Sequence, residues 1–214
     1  MRATRPLLTA ILLALTASAG LAQSDGEGGQ EPLPAAGFGS LRQDDLALRV
    51  RGSEIEVRFV PLDPRVTSLL ARDSYESLRG LVQSRRQAID SLAGVAGVSR
   101  PGLALVTFFG QQSGARFDPQ TLTIVARSRV FQPLGIVPFS PRFTSQQLEV
   151  REQLSGIYLF EESIPVTDDF SIAYDGVNSE PWSRKRSVLD RERARVASRA
   201  RVQRAADSLP PPAE

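Results

Sequence analysis

Leu46-Ala47-Leu48-Arg49-Val50-Arg51-Gly52-Ser53-Glu54-Ile55-Glu56-Val57-Arg58-Phe59 decides how this chain is read. Leu46, Leu48 and Val50 stand at every second position, Gly52-Ser53 offers a turn, and Ile55, Val57 and Phe59 repeat the alternation. A period of two is that of a strand with one buried face, so the stretch predicts an antiparallel hairpin.

Downstream the period changes. Asp63 before Pro64 is a helix start with proline at the first helical position, and Asp73 with Glu76 three residues later has the form of a second capping box. Tyr75, Leu78, Leu81, Val82, Ile89 and Leu92 recur at helical spacings, so a helix inserted over about residues 64–93 faces a core along one stripe and ends at Gly94 and Gly97. Strands return with the apolar run Leu103 to Phe109, then Leu122-Ile124-Ala126 behind Asp118-Pro119, Val130 to Val137 broken by Pro133, Ile157-Leu159 and Phe170-Ile172-Tyr174. Pro133, Pro138, Pro141 and Pro165 imply edge strands or strand boundaries. The expected fold is mainly β within the α+β class: an antiparallel β-sandwich over residues 37–181 with the helix packed on one sheet or over one end. Phe59, Phe108, Leu122, Ile124, Leu159, Phe160 and Ile172 are the expected sheet core.

Phe117-Asp118-Pro119-Gln120-Thr121-Leu122-Thr123-Ile124, then Ser155-Gly156-Ile157-Tyr158-Leu159-Phe160, Ile164-Pro165 and Phe170-Ser171-Ile172-Ala173-Tyr174, resemble the immunoglobulin-like modules of bacterial exported proteins and lipoproteins. In those, a Phe-x-Pro strand start leads to a Gly-apolar-x-apolar-Phe strand, an apolar-Pro step and a last strand ending in Tyr. The resemblance covers residues 117–174, rests on packing residues, and implies an immunoglobulin-like sandwich. It implies no chemistry. The helix before the matching stretch and the basic helix after it have no counterpart in the plain module.

The first 22 residues read as an export signal. Arg2 and Arg5 form the basic start, Leu7 to Leu15 is apolar, and Gly20-Leu21-Ala22 fits a cleavage site before Gln23. No cysteine follows and no Arg-Arg pair precedes the apolar run, which favours the general secretory route without a lipid anchor. Residues 23–36, rich in glycine, proline and acids, read as a flexible linker, and 207–214 as a disordered tail. The expected location is the periplasm or exterior of a GC-rich, Gram-negative bacterium, with no transmembrane segment after cleavage.

Of the 26 basic residues, two lie in the leader, which leaves 24 against 24 acids. The pI near 9.5 therefore reflects arginine and the absence of histidine more than surplus charge, and nucleic acid is not an expected partner. Among the basic residues only Lys185 is a lysine. A chain with no histidine and no cysteine has no Ser-His-Asp or Cys-His pair and no HExxH zinc site, and no glycine-rich phosphate loop occurs. No catalytic, cofactor-binding or metal residue is assigned. Paired carboxylates are the remaining catalytic option: Asp44-Asp45, Glu54 with Glu56, Glu161-Glu162 and Asp168-Asp169. They carry the alternative reading of a small periplasmic hydrolase. Asp175-Gly176-Val177-Asn178-Ser179-Glu180 has oxygen ligands without calcium-loop spacing and reads as a turn.

The most asymmetric feature is a basic helix at residues 182–206, opened by Trp182, with nine basic residues and only Asp190 and Glu192 as acids. Arg184, Lys185, Arg186, Arg191, Arg195, Arg199 and Arg201 are the expected partner-binding residues, facing an envelope protein or an anionic envelope surface. Its apolar stripe thins after Val196, so the end of the helix reads as an arm seeking a partner. The function these readings favour is a non-enzymatic exported envelope protein, an immunoglobulin-like binding or scaffold module.

Overall fold

A computed structural model describes residues 33–207; the expected leader, most of the linker and residues 208–214 lie outside that range. Strands are β1 (Leu48–Arg51), β2 (Ile55–Pro61), β3 (Gly102–Gly110), β4 (Ala115–Arg116), β5 (Thr123–Ala126), β6 (Arg129–Phe131), β7 (Gly135–Pro138), β8 (Gln147–Leu148), β9 (Gln153–Phe160), β10 (Phe170–Tyr174) and β11 (Val177–Asn178). Helices are α1 (Gln43–Leu46), α2 (Pro64–Thr67), α3 (Arg72–Ser84), α4 (Arg86–Val95) and α5 (Arg186–Asp207).

The hairpin forms in the expected place. Gly52 N–H donates to the Ile55 carbonyl at 2.9 Å, and Leu48 to Arg51 pair with Phe59 to Glu56. From it grows a five-stranded antiparallel sheet in the order β1-β2-β3-β9-β7; a four-stranded sheet runs β11-β10-β5-β6, and β4 pairs with β8. The two larger sheets share one core. Phe59 meets Phe160 and Phe170 edge-on at 6.3 and 6.4 Å, and Phe108 meets Tyr174 at 5.6 Å. All seven expected core residues are buried. The arrangement is sandwich-like. With 37% of the described residues helical and 30% in strands, the protein is mixed α+β, more helical than the mainly β class expected.

The single helix expected over residues 64–93 is instead α2, α3 and α4. Asp63 caps α2 as expected, accepting from Arg65 N–H at 2.9 Å, with Pro64 following. Residues 69–71 then leave the helix to pair with an incoming strap, Leu41 N–H on the Leu69 carbonyl and Ala71 N–H on the Leu41 carbonyl. The strap passes so close that a Cβ on Gly39 would overlap the Leu69 carbonyl. The second capping box is not formed: α3 is capped at Ala71, Asp73 accepts from Ser74 N–H, and Glu76 pairs with Arg72. Arg85 breaks α3 from α4 because its side chain reaches across to the Phe139 ring and carbonyl. Ile89 and Ala93 of α4 then bury against Val137, Ile157 and Leu159 on the outer face of the five-stranded sheet. That second contact explains why β9 is buried on both faces: Tyr158 and Phe160 face the inter-sheet core and Ile157 and Leu159 face α4.

After β11 the chain returns to the core. Trp182 stacks on Phe170 at 5.1 Å and donates from Nε1 to the Val166 carbonyl at 2.9 Å. Leu189, Val196 and Ala200 of α5 are buried. So is Glu192, 1% exposed, whose Oε1 accepts from Ser40 N–H and Oγ at 2.8 Å each. Packing continues past the expected limit at Val196 through Arg199, which donates to the Phe38 carbonyl at 2.6 Å, to Ala200. Residues 201–206 are exposed.

Candidate functional site

Ala47 N–H bonds the Asp44 carbonyl, ending the helical turn of α1 and delivering the chain into β1 at one edge of the five-stranded sheet. At the far end of the chain, Asp175 (φ +48) and Gly176 (φ +75) form the two-residue turn that makes β11 the edge of the second sheet. The stretch with calcium-like oxygens is thus a hairpin turn, as its spacing implied. Glu180, Pro181 and the helical turn at Trp182–Lys185 then run back past β1.

These elements enclose a groove of about 660 Å³ lined by Asp44, Asp45, Ala47, Leu48, Arg49, Arg51, Val177, Asn178, Glu180, Pro181, Arg184, Lys185 and Val188. It unites residues from three stretches that the sequence reading treated separately: the Asp44-Asp45 pair, the 175–180 turn and the start of the basic segment.

Most charges in the groove are spoken for. Arg49 bridges Asp44 at 2.9 Å and Glu56 at 2.6 Å, Arg51 joins Glu56 at 2.8 Å, Arg58 joins Asp44 at 2.9 Å, and Arg184 pairs with Glu180. Burial acts to raise the Glu56 carboxyl, but hydrogen bonds from Arg49 and Arg51 outweigh it and hold the group below its ordinary value. Lys185 differs. Its ammonium is half-buried, burial holds it below the ordinary lysine value despite nearby Asp45, and among the described residues it forms neither hydrogen bond nor ion pair.

The seven expected partner-binding residues are therefore divided. Arg184 and Lys185 line the groove, whereas Arg195 and Arg199 lie 3.4 Å from the buried Glu192, and Arg199 also ties α5 to the strap at the Phe38 carbonyl. Arg186, Arg191 and Arg201 are exposed along α5. The candidate acid pairs are likewise split between separate duties. Asp44 binds arginines while Asp45 accepts from Arg42 N–H; Glu54 is exposed while Glu56 is bridged; Glu162 pairs with Arg129, with Glu161 exposed beside it. Asp168 pairs with Arg127 while Asp169 accepts from Ser183 N–H. Among the described residues no three acidic side chains converge as a metal site, and no helix is long and apolar enough to cross a membrane.

Arg49, Arg51, Val177 and Val188 escaped the sequence reading as site residues. Arg49 and Arg51 read as the solvent face of a strand, and only the position of β1 at a sheet edge, beside β11, makes that face part of a recess. Comparison of the chain with protein-family models, with characterised proteins and with solved structures finds no match.

Proposed function

We propose that this protein is an exported, non-enzymatic binding module of the bacterial envelope that docks another exported protein in the groove between β1 and β11. The observation that carries this reading is the state of the groove's charges: its arginines and acids pair with one another, Lys185 feels Asp45, Asp44 and Glu180 without bonding any of them, and Val177 and Val188 stand exposed beside it. Such a lining suits recognition better than hydrolysis, which needs two carboxylates converging on one bond, whereas Asp44, Asp45 and Glu180 are each tied to a separate donor. The leader at residues 1–22 and the resemblance of residues 117–174 to immunoglobulin-like modules of exported proteins support the same assignment.

The test is site-specific photo-crosslinking in the native host. A benzoylphenylalanine at position 188 is expected to give a discrete adduct with an envelope protein, and the adduct disappears when Lys185→Glu is added. The same probe at position 95, on the exposed end of α4, gives none. Equal labelling from both positions, or labelling indifferent to Lys185→Glu, refutes docking in the groove.

A further inference from the structure

The hydrogen-bond pattern of the β1–β2 hairpin says which backbone groups are unused. Gly52 and Ile55 close the turn as a hydrogen-bonded pair, so alternation makes Val50 with Val57 and Leu48 with Phe59 bonded pairs. Arg49 and Arg51 therefore direct their N–H and C=O groups away from β2, toward the groove. The same reasoning applies to β11. Tyr174 pairs with Val177 across a two-residue turn and Ser179 N–H donates to the Ile172 carbonyl, so the intervening Asn178 also turns its backbone outward. No helix or strand among the described residues pairs with either edge. β1 packs against β10 of the facing sheet and also touches β11, the strand next to it. β1 is thus the last strand of one sheet and β11 the last of the other, and the groove opens along these two edges.

We propose that this groove is filled by an extended segment of the docked protein, which adds to the β1 edge as a sixth strand and sets a carboxylate against Lys185. This rests on the docking function proposed above and names the chemistry of the partner. Three observations meet here. The edge presents unpaired backbone donors and acceptors at Arg49 and Arg51, the groups that strand addition uses. The added strand's side chains opposite Leu48 and Val50 point inward, because residues facing each other across an antiparallel pair share a face. There they cover Val177 and Val188, each 41% exposed. Lys185 supplies the remaining contact, a cation half withdrawn from water that lies near Asp45, Asp44 and Glu180 but hydrogen-bonds none of them. The recognised segment accordingly carries an apolar residue and an aspartate or glutamate two positions apart, since alternate residues of a strand share a face. A second copy of β1 is a poor fit. Its inward residues, Leu48 and Val50, are both apolar and leave Lys185 unanswered.

The probe is a fluorescein-labelled peptide of about eight residues alternating threonine and valine, with one valine replaced by glutamate. Companion peptides carry lysine in place of the glutamate, or N-methyl groups on the amides that would face β1. Fluorescence polarisation with residues 23–214 is expected to give saturable binding of the glutamate peptide, weakened roughly tenfold or more by either change. Lys185→Gln is expected to erase the preference for glutamate over lysine while the protein's urea midpoint does not fall. Absence of saturable binding up to about 1 mM overturns the proposal, as does equal binding of the N-methylated peptide. Sedimentation showing a dimer that the peptide dissociates would assign the edge to a second copy and overturn the partner named here. Failure of the peptides while the position-188 adduct persists removes strand addition alone; loss of both removes the docking function.

Discussion

Replacing Glu192 with alanine tests how α5 is held to the strap at residues 38–41. The Glu192 carboxylate accepts two hydrogen bonds from Ser40 at 2.8 Å and stands 3.4 Å from Arg195 and Arg199. Hydrogen bonds to a charged group contribute about 1.5–3 kcal/mol each, and the exposure of Ser40 puts these at the lower end because water can replace the acceptor. The two arginines are about half exposed, so their pairs add only about 0.5 kcal/mol. Removing a buried charge returns part of its desolvation cost, which leaves an expected loss of about 3 kcal/mol for Glu192→Ala and about half that for Glu192→Gln. Against a stability of about 5–15 kcal/mol that loss is easily measured. Urea unfolding followed by fluorescence has a built-in probe, since Trp182 is the protein's only tryptophan and lies at the foot of α5. Far-ultraviolet circular dichroism on the same samples separates global unfolding from local release of α5, in which the fluorescence change comes first. A coupling of about 1 kcal/mol between Glu192→Ala and Ser40→Ala is expected from a double-mutant cycle. A loss below about 0.5 kcal/mol, or no coupling to Ser40, would refute the idea that this carboxylate fastens helix to strap.

Four further outcomes are expected. Phe59→Ala, at the point where Phe160 and Phe170 meet edge-on, should cost about 3–5 kcal/mol by urea unfolding, and Leu159→Ala, buried under α4, about 2–5 kcal/mol; a loss under about 1 kcal/mol in either would contradict the packing described. Burial depresses Lys185, so its charged form costs stability in the folded state, and that cost is relieved as pH rises from the folded value toward 10.5. Lys185→Met should therefore be neutral or stabilising at pH 7 and should flatten that alkaline rise, read from urea midpoints across pH; a destabilised Lys185→Met would show the ammonium to have a partner. Glu56 has the opposite sign. Its carboxyl is held low, so the stability it contributes is complete above the ordinary glutamate value of 4.5 and disappears as pH falls through the lowered one, a loss absent from Glu56→Gln. Finally, N-terminal sequencing of protein recovered from its host is expected to begin at Gln23, and recovery of Met1 would contradict export with cleavage.

Much of this architecture was legible locally. The period-two runs at Leu48–Val50, Ile55–Phe59 and Phe170–Tyr174 are strands because one face of each is buried, a constraint written into every second residue. Asp63-Pro64 begins a helix and Asp175-Gly176 makes a turn because the chemistry involved spans only two or three residues. Where a boundary depended on a distant segment, the sequence was silent. The helix breaks at Ala71 and Arg85 follow from contacts to Leu41 and Phe139, 30 and 54 positions away. Val130 to Val137 breaks at Pro133 as expected, but only the structure assigns its two parts to different sheets, β7 pairing with β9 and β6 with β5 across an Arg127-Ser128 turn (φ +51 and +60) whose residues seldom mark that conformation. The basic helix shows the division best. Its charge and helical propensity are properties of residues 182–206 alone, and these predicted a helix. Which arginines hold the fold together was decided by the tertiary structure, because Glu192 is an anchor only when Ser40 is brought to it, and β1 is an unpaired edge because no other strand among the described residues arrives beside it.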